Sequence, residues 1–449
     1  MRLARILRLV ALPCLVAAAP LVAQGTATPG TAVLFENVRI FDGSATLTAP
    51  SNVLVVGNTI ARISTGPMPV PADIALVRIA GGGRTLMPGL IDAHVHLMFG
   101  TLPQLAVLTA DVGFVHIAAA KDAEAMLRRG FTSVRDLGGP IFGLKRAIDA
   151  GLVAGPRIWP SGPFISQSGG HGDFRLPTEI PAPPGYVSYG ERVGATVIAD
   201  SPDLVRQRAR EILQLGASQL KLMAGGGVSS SYDPLDVTQY TVAELRAAVE
   251  AAENWGTYVT VHAYTPRAVR QAIEAGVKCI DHGQLLDDAT ARLMAQRGVW
   301  WSMQPFTDDR PSPWPEGSPN RVKQLRMYAG TDSAFAYAKR HKVRLAWGTD
   351  ILFSAANAAR QGAQLAKMTR WFTPAEALRL ATSENAALLA LAGERSPYPG
   401  TLGVVREGAL ADLLLVDGDP TKDLSLVADP ERNFVVIMKD GVVHKNSVR

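Results

Sequence analysis

The chain has 449 residues, 47% of them apolar and 19% charged, which suits one large domain with a smaller one and argues against disorder. Its net charge of +5 falls to +2 once residues 1–24 are set aside, because Arg2, Arg5 and Arg8 are the charged residues there. A nearly neutral chain offers no electrostatic footprint for nucleic acid and no basic face for a membrane surface.

Residues 1–24 join that positive start to an apolar run over 9–23 and a small-residue end. This is the pattern of a secretory signal peptide, too short and too lightly flanked for a membrane span. The expectation is a periplasmic or secreted protein, cleaved between Ala19 and Gln24. Cys14 lies in the leader directly after Pro13, which argues against a lipid-modified cysteine. Cys279 is then the single cysteine of the mature chain, so no intramolecular disulfide is expected.

Residues 25–85 read as short strands: Ala32-Val33-Leu34-Phe35, Val38-Arg39-Ile40, then 52–63 broken at Gly57-Asn58, then 74–79. A matching set returns within 393–449, at 412–416 and 434–439, with Asp440-Gly441 as a turn before Val442-Val443. The two sets predict a small β-sandwich domain built from both chain ends. Between them, over 86–392, eight apolar strand-like runs (90–96, 133–136, 157–161, 219–223, 258–262, 279–282, 300–303, 345–350) alternate with helical stretches. The helices include 121–130, 203–215, 241–255, 266–275 and 287–297. The fold class is therefore α/β, a (β/α)8 TIM-like barrel whose chemistry belongs at the C-terminal strand ends. Two segments break the alternation: 162–200 is rich in Pro, Gly and Ser, and 307–321 holds four prolines. Both follow strands and read either as loops over the strand ends or as plain surface insertions.

The strand ends carry the informative residues. In Pro88-Gly89-Leu90-Ile91-Asp92-Ala93-His94-Val95-His96-Leu97, the two histidines are two residues apart. On an extended strand they share one face and make part of a metal site. The fourth strand places Lys221 inside the apolar run Gln219-Leu220-Lys221-Leu222-Met223, where an ammonium is costly unless paired or neutralised. The fifth strand ends at His262, the sixth at His282 and the eighth at Asp350. Six such residues on five strands are not six satisfied core groups.

This ordered set resembles the amidohydrolase superfamily, and the similarity covers nearly the whole mature chain, including Gly408-Ala409-Leu410-Ala411-Asp412-Leu413. Within it the chain is most similar to the imidazolonepropionase-related group, with its binuclear Xaa-Pro (prolidase-like) and Xaa-Arg/Lys dipeptidases and ochratoxin-hydrolysing amidases. The resemblance implies two divalent metal ions, zinc first by donor chemistry, with manganese, cobalt or iron as alternatives. His94, His96 and Asp350 would hold one ion and His262 and His282 the other, with Lys221 bridging both as a carbamate. Two cations sharing a water bring its pKa toward neutrality, and Asp350 beside it would shuttle the proton to the leaving amine. The implied reaction is hydrolysis of an amide next to a free carboxylate, in a dipeptide, an N-acyl amino acid or an ochratoxin-like amide. Two alternatives stand: a cyclic amide or lactone hydrolase on the same site, and a catalytically silent binding protein. Relatives often assemble as homo-oligomers.

Three further residues are candidates for substrate contact. His171, in Ser168-Gly169-Gly170-His171-Gly172-Asp173, follows the third strand and is expected to touch substrate or oxyanion, if it is not merely a loop residue. The Gly-rich stretch 224–227 lacks the Lys-Ser ending of a P-loop, so it reads as a close approach to a small polar substrate. Beyond it, Tyr232 and Tyr240 have hydroxyls suited to a substrate carboxylate, with loop packing the equal alternative. His116, His341 and His444 read as structural or solvated, and Asp136 as structural.

Overall fold

The computed structural model describes residues 31–44, 48–69, 74–183, 185–230, 232–309 and 312–448. The expected leader at 1–24 lies outside them, as do Ser231, beyond the Gly-rich stretch, and Arg310 and Pro311 of the Pro-rich segment.

The first strands are Thr31–Ile40 (β1), Ser51–Val56 (β2), Thr59–Ser64 (β3), Ala75–Ala80 (β4) and Thr85–Pro88 (β5). Then come Leu90–Val95 (β6), Phe131–Asp136 (β7), Arg157–Pro160 (β8), Phe164–Ser166 (β9) and Thr196–Ile198 (β10). Leu220–Met223 (β11), Val259–Ala263 (β12), Cys279–His282 (β13), Trp300–Met303 (β14) and Leu345–Trp347 (β15) continue the series. The last three are Leu413–Val416 (β16), Phe434–Lys439 (β17) and Val442–Asn446 (β18).

The two chain ends share one sheet, in the order β18-β17-β16-β5-β1-β2-β3, with β4 pairing β1. Its seam is β16 antiparallel to β5, with Leu414 opposite Met87. Alternation along the strands gathers Phe35, Val38, Ile60, Leu86, Leu413 and Val436 into a buried cluster of its own.

The central strands form two parallel sheets, β6-β7-β8 and β10-β9-β11-β12-β13-β14-β15. Hydrogen bonds cross both gaps between them. Ser218 N–H donates to the Pro160 carbonyl at 2.8 Å, and Asp350 N–H donates to the His94 carbonyl at 2.8 Å. All eight anticipated strand runs are present, but the last stops at Trp347 because the chain then turns out of the sheet, reaching Asp350 at φ 48°. The helices also fall where expected. Val242–Asn254 starts at a Thr241/Glu244 capping box, and Pro266–Ala275 and Asp288–Arg297 end on left-handed Gly276 and Gly298. Segment 162–200 contributes β9 and β10, three residues each and too short to carry a period in sequence. Among the described residues no helix is long and apolar enough to cross a membrane.

Arg157, at the start of β8, ties the parallel strands to the terminal sheet. It is 4% exposed, donates to both Asp412 oxygens at 3.1 and 3.2 Å, and reaches Asp440 at 2.6 Å. Removing the guanidinium leaves two buried carboxylates facing each other, a loss of about 3–5 kcal/mol. Arg157→Leu should therefore lower the urea-unfolding free energy by that amount, and a change under about 1 kcal/mol would show that the pair is not a structural tie.

Candidate functional site

The C-terminal ends of the parallel strands surround an open cavity, with His94, His96, Lys221, His262, His282 and Asp350 all in its lining. Asp92, two residues ahead of His94, sets the seam at which the first of them meet. Its fully buried carboxylate accepts from the N–H groups of His94 (3.1 Å) and Thr349 (3.0 Å), the Thr349 hydroxyl (2.7 Å) and Gln361 (2.9 Å). Gly348 lets the strands come this close, since a Cβ there would sit 2.5 Å from the Cβ of His94.

At that seam three ligand-type atoms converge. The His94 and His96 Nε2 atoms are 3.3 Å apart, and Asp350 Oδ1 lies 3.3 Å from the first and 3.2 Å from the second. Ligand atoms held 2.0–2.1 Å from one cation at tetrahedral angles lie about 3.3 Å from one another, so this triangle fits a metal ion such as zinc. His282 closes the group: one ligand atom from each of His94, His282 and Asp350 falls within 4.8 Å of the others. Burial pushes His94 down to about 4 and His282 to about 3, and leaves His262 well below its ordinary value. Neutral imidazoles are the form that binds a metal. Burial alone would raise Asp350, but the adjacent histidines hold its carboxyl well below the usual range. Gln304 orients two of the rings, with Oε1 2.8 Å from His282 Nδ1 and Nε2 3.3 Å from His94 Nδ1.

The other two residues share the cavity without meeting at that point. The His262 ring lies 4.5 Å from that of His282, while its Nε2 faces the Gly226 carbonyl at 3.1 Å. Lys221 is 1% exposed and ion-paired to Asp281, which also receives Arg135 Nη2 at 2.7 Å. Burial lowers the Lys221 pKa, and its two cationic partners overcome burial to keep Asp281 ionised. Asp281, Arg135, Asp92 and Gln304 were not singled out from the sequence. An arginine inside the apolar run of β7 was the available signal.

His171 does reach the site. Its ring stacks on His262 with centroids 4.1 Å apart, and its Nδ1 lies 2.7 Å from Ser230 Oγ and 3.5 Å from Asp233 Oδ2. Asp233 also accepts from the Gly227 N–H at 2.9 Å, so the Gly-rich stretch curls round this imidazole. The two tyrosines fare differently. Tyr232 is 60% exposed, Tyr240 is buried beneath its loop, and neither lines the cavity. The phenols that do are Tyr189, Tyr264 and Tyr328. Both irregular segments cover the strand ends as one of the two readings anticipated: Phe174, Tyr189 and Val193 line the cavity from one, and Pro313 and Trp314 from the other. His116 bonds the Val112 carbonyl at 2.8 Å, and His341 pairs with Asp288 at 2.9 Å, and neither lines the cavity.

A Cβ on Gly227 would fall 2.0 Å from His171 Cε1. Gly227→Ala should therefore cost about 1–3 kcal/mol in chemical denaturation. Adding His171→Ala should restore most of that loss, and a double variant no more stable than Gly227→Ala would show that the clash lies elsewhere.

The comparisons with known proteins agree with this geometry. Residues 85–446 match the amidohydrolase family. An ochratoxinase from Aspergillus niger is 31% identical over 369 residues, covering 77% of this chain and 73% of its own. A prolidase crystallised with N-methylphosphonate-L-proline superposes with a TM-score of 0.82 at 33% identity, covering 93% of this chain and 100% of its own. A Xaa-Pro dipeptidase with methionine in its active site gives 0.77 at 27% identity, over 92% of this chain and 100% of its own. With four ligand-type side chains gathered at one seam and this similarity along nearly its whole described length, the chain belongs to the amidohydrolase family.

Proposed function

We propose that the protein is a binuclear metal-dependent amidase that cleaves an amide next to a free carboxylate and releases a C-terminal amino acid. The observation that carries this is the His94–His96–Asp350 triangle, whose 3.2–3.3 Å edges suit one cation and which shares its cavity with Lys221, His262 and His282. Eight of the parallel strands, β6–β8 and β11–β15, are read as a closed (β/α)8 barrel, supported by the hydrogen bonds across the two sheet gaps, and the strands of the two chain ends as a small β-sandwich beside it. With its leader removed, the protein acts in the periplasm or outside the cell.

His94, His96 and Asp350 would hold one divalent ion and His262 and His282 the other, zinc by donor type, with Lys221 as a carbamate between them. When bound, the pair supplies an acidified water and an electrophile for the scissile carbonyl. Carbamate formation needs a neutral amine, and burial already lowers the pKa of Lys221. Asp350 accepts the proton of the attacking water as oxygen adds to the acyl carbon. The C–N bond then breaks, and the same proton passes to the departing nitrogen, giving a carboxylic acid and an amino acid. His171 and Tyr264, which line the cavity beside the cluster, would donate to the substrate carboxylate. Burial holds the Tyr264 phenol well above its ordinary pKa, so it stays a donor.

Dialysis against a chelator should abolish release of a free amino acid from N-acyl amino acids, and zinc should restore it. Activity that survives full metal removal would contradict the proposal. Asp350→Asn should lower kcat by about 1000-fold or more, since one change removes a ligand and the proton carrier. Lys221→Ala should lose both bound metal and turnover, and full activity in that variant would rule out a carbamate bridge.

A further inference from the structure

Behind His171, on the side away from the cavity, lies a buried hub that the hydrolysis proposed above does not use. Its centre is the Asp233 carboxylate, 4% exposed and absent from the cavity lining. Asp233 Oδ1 accepts the Ser230 hydroxyl. Its Oδ2 accepts the Gly227 N–H at 2.9 Å and Gln239 Nε2 at 3.3 Å, and lies 3.5 Å from His171 Nδ1. Gln239 is itself buried and turns its Oε1 to the His171 N–H at 2.9 Å, so one carboxylate steadies both the backbone and the ring of His171. Ser230 is fixed from another direction. Its carbonyl accepts from Asn320 Nδ2 at 3.0 Å and Lys323 Nζ at 2.7 Å, both on the helix Pro319–His341.

The bonding capacities of these groups decide where the protons sit. Burial alone would raise the Asp233 carboxyl, but its hydrogen bonds and the His171 ring bring it below its ordinary value. It is therefore an anion, and a carboxylate anion only accepts. A serine hydroxyl has one proton to give, and the anion is the strongest acceptor within its reach. Ser230 Oγ also lies 2.7 Å from His171 Nδ1, and with its own proton committed to Asp233 it can only accept there. The proton of that contact belongs to Nδ1. With Nδ1 occupied and the ring stacked on His262, Nε2 is the nitrogen left for the cavity that His171 lines.

We infer that Asp233 is the positioning residue of His171: through Ser230 it fixes a proton on Nδ1 and presents Nε2 to the substrate. The inference rests on the amide hydrolysis proposed above for what Nε2 meets, and on the hydrogen-bond chain for which nitrogen is presented. The orientation is the same in either state of the ring. A neutral imidazole offers Nε2 as an acceptor, and a doubly protonated one offers it as a donor to the substrate carboxylate.

Long-range proton–nitrogen correlation spectra of the zinc-loaded protein with isotope-labelled histidines, recorded at alkaline pH, read the tautomer directly. The His171 signals are those missing from His171→Asn. In the unmutated protein the neutral ring should carry its proton on Nδ1, and Asp233→Asn should move a measurable share of it to Nε2. A proton on Nε2 in the unmutated protein, or the same tautomer in Asp233→Asn, would overturn the inference. With N-acyl amino acids, Asp233→Asn should raise KM about tenfold, with kcat changed less than about threefold and bound zinc unchanged. Combined with His171→Ala it should add nothing, because its effect runs through that ring. A loss that adds in full to that of His171→Ala would make Asp233 a loop-folding residue and overturn the inference. If no form cleaves any of these amides, the hydrolytic reading fails, and the tautomer in the unmutated protein alone decides the inference.

Discussion

The structure depends on one electrostatic constraint. His94, His96 and Asp350 direct their ligand atoms at one another from within 3.3 Å, inside a protein where burial already holds His94 and His282 neutral. Such a set of acceptors is poorly satisfied by its own members and well satisfied by a cation. The surrounding architecture holds the set in place. Asp92 pins the ends of β6 and β15 together, Gly348 removes the one Cβ that would part them, and Gln304 fixes two rings from β14's exit. Left-handed backbone at His282 and Asp350, uncommon away from glycine, belongs to the same arrangement.

A second buried network lies behind the first. Asp281 receives Arg135 from β7 and Lys221 from β11, so a carboxylate adjacent in sequence to His282 is neutralised from two other strands. Arg135 is fully buried and also reaches the Ala93 carbonyl at 2.6 Å, which couples the backbone just before His94 to the floor under Lys221. Lys221 thus sits where burial lowers its pKa yet an ionised partner keeps its Nζ in one position. That suits the carbamate proposed for Lys221, whose formation needs a neutral amine held in one place.

Much of this was legible in the sequence, because parallel strands in α/β folds are short apolar runs whose polar ends face the site. His94, His96, His262, His282 and Asp350 stood at such ends, Lys221 stood inside an apolar run, and His171 stood in a Gly-rich turn. What lay hidden were pairings between residues far apart in the chain. Arg135 and Asp281 are 146 positions apart, and no local pattern marks them as partners. The tyrosines failed for a local reason. Asp233 folds inward to cap the Gly227 N–H, which leaves its neighbour Tyr232 facing solvent. Tyr240 is turned under at φ 60° with its N–H held by Gln167. Turn conformation set by side-chain-to-backbone hydrogen bonds is not a periodic signal, so position after a strand did not translate into a place in the cavity.

The central claim concerns a metal pair, and anomalous diffraction from crystals of the zinc-loaded protein tests it most directly. The account predicts one peak enclosed by His94, His96 and Asp350 and a second beside His262 and His282, with density for a carbamate on Lys221 between them. An unmodified Lys221 still paired to Asp281, with no anomalous peak among these residues, would contradict it.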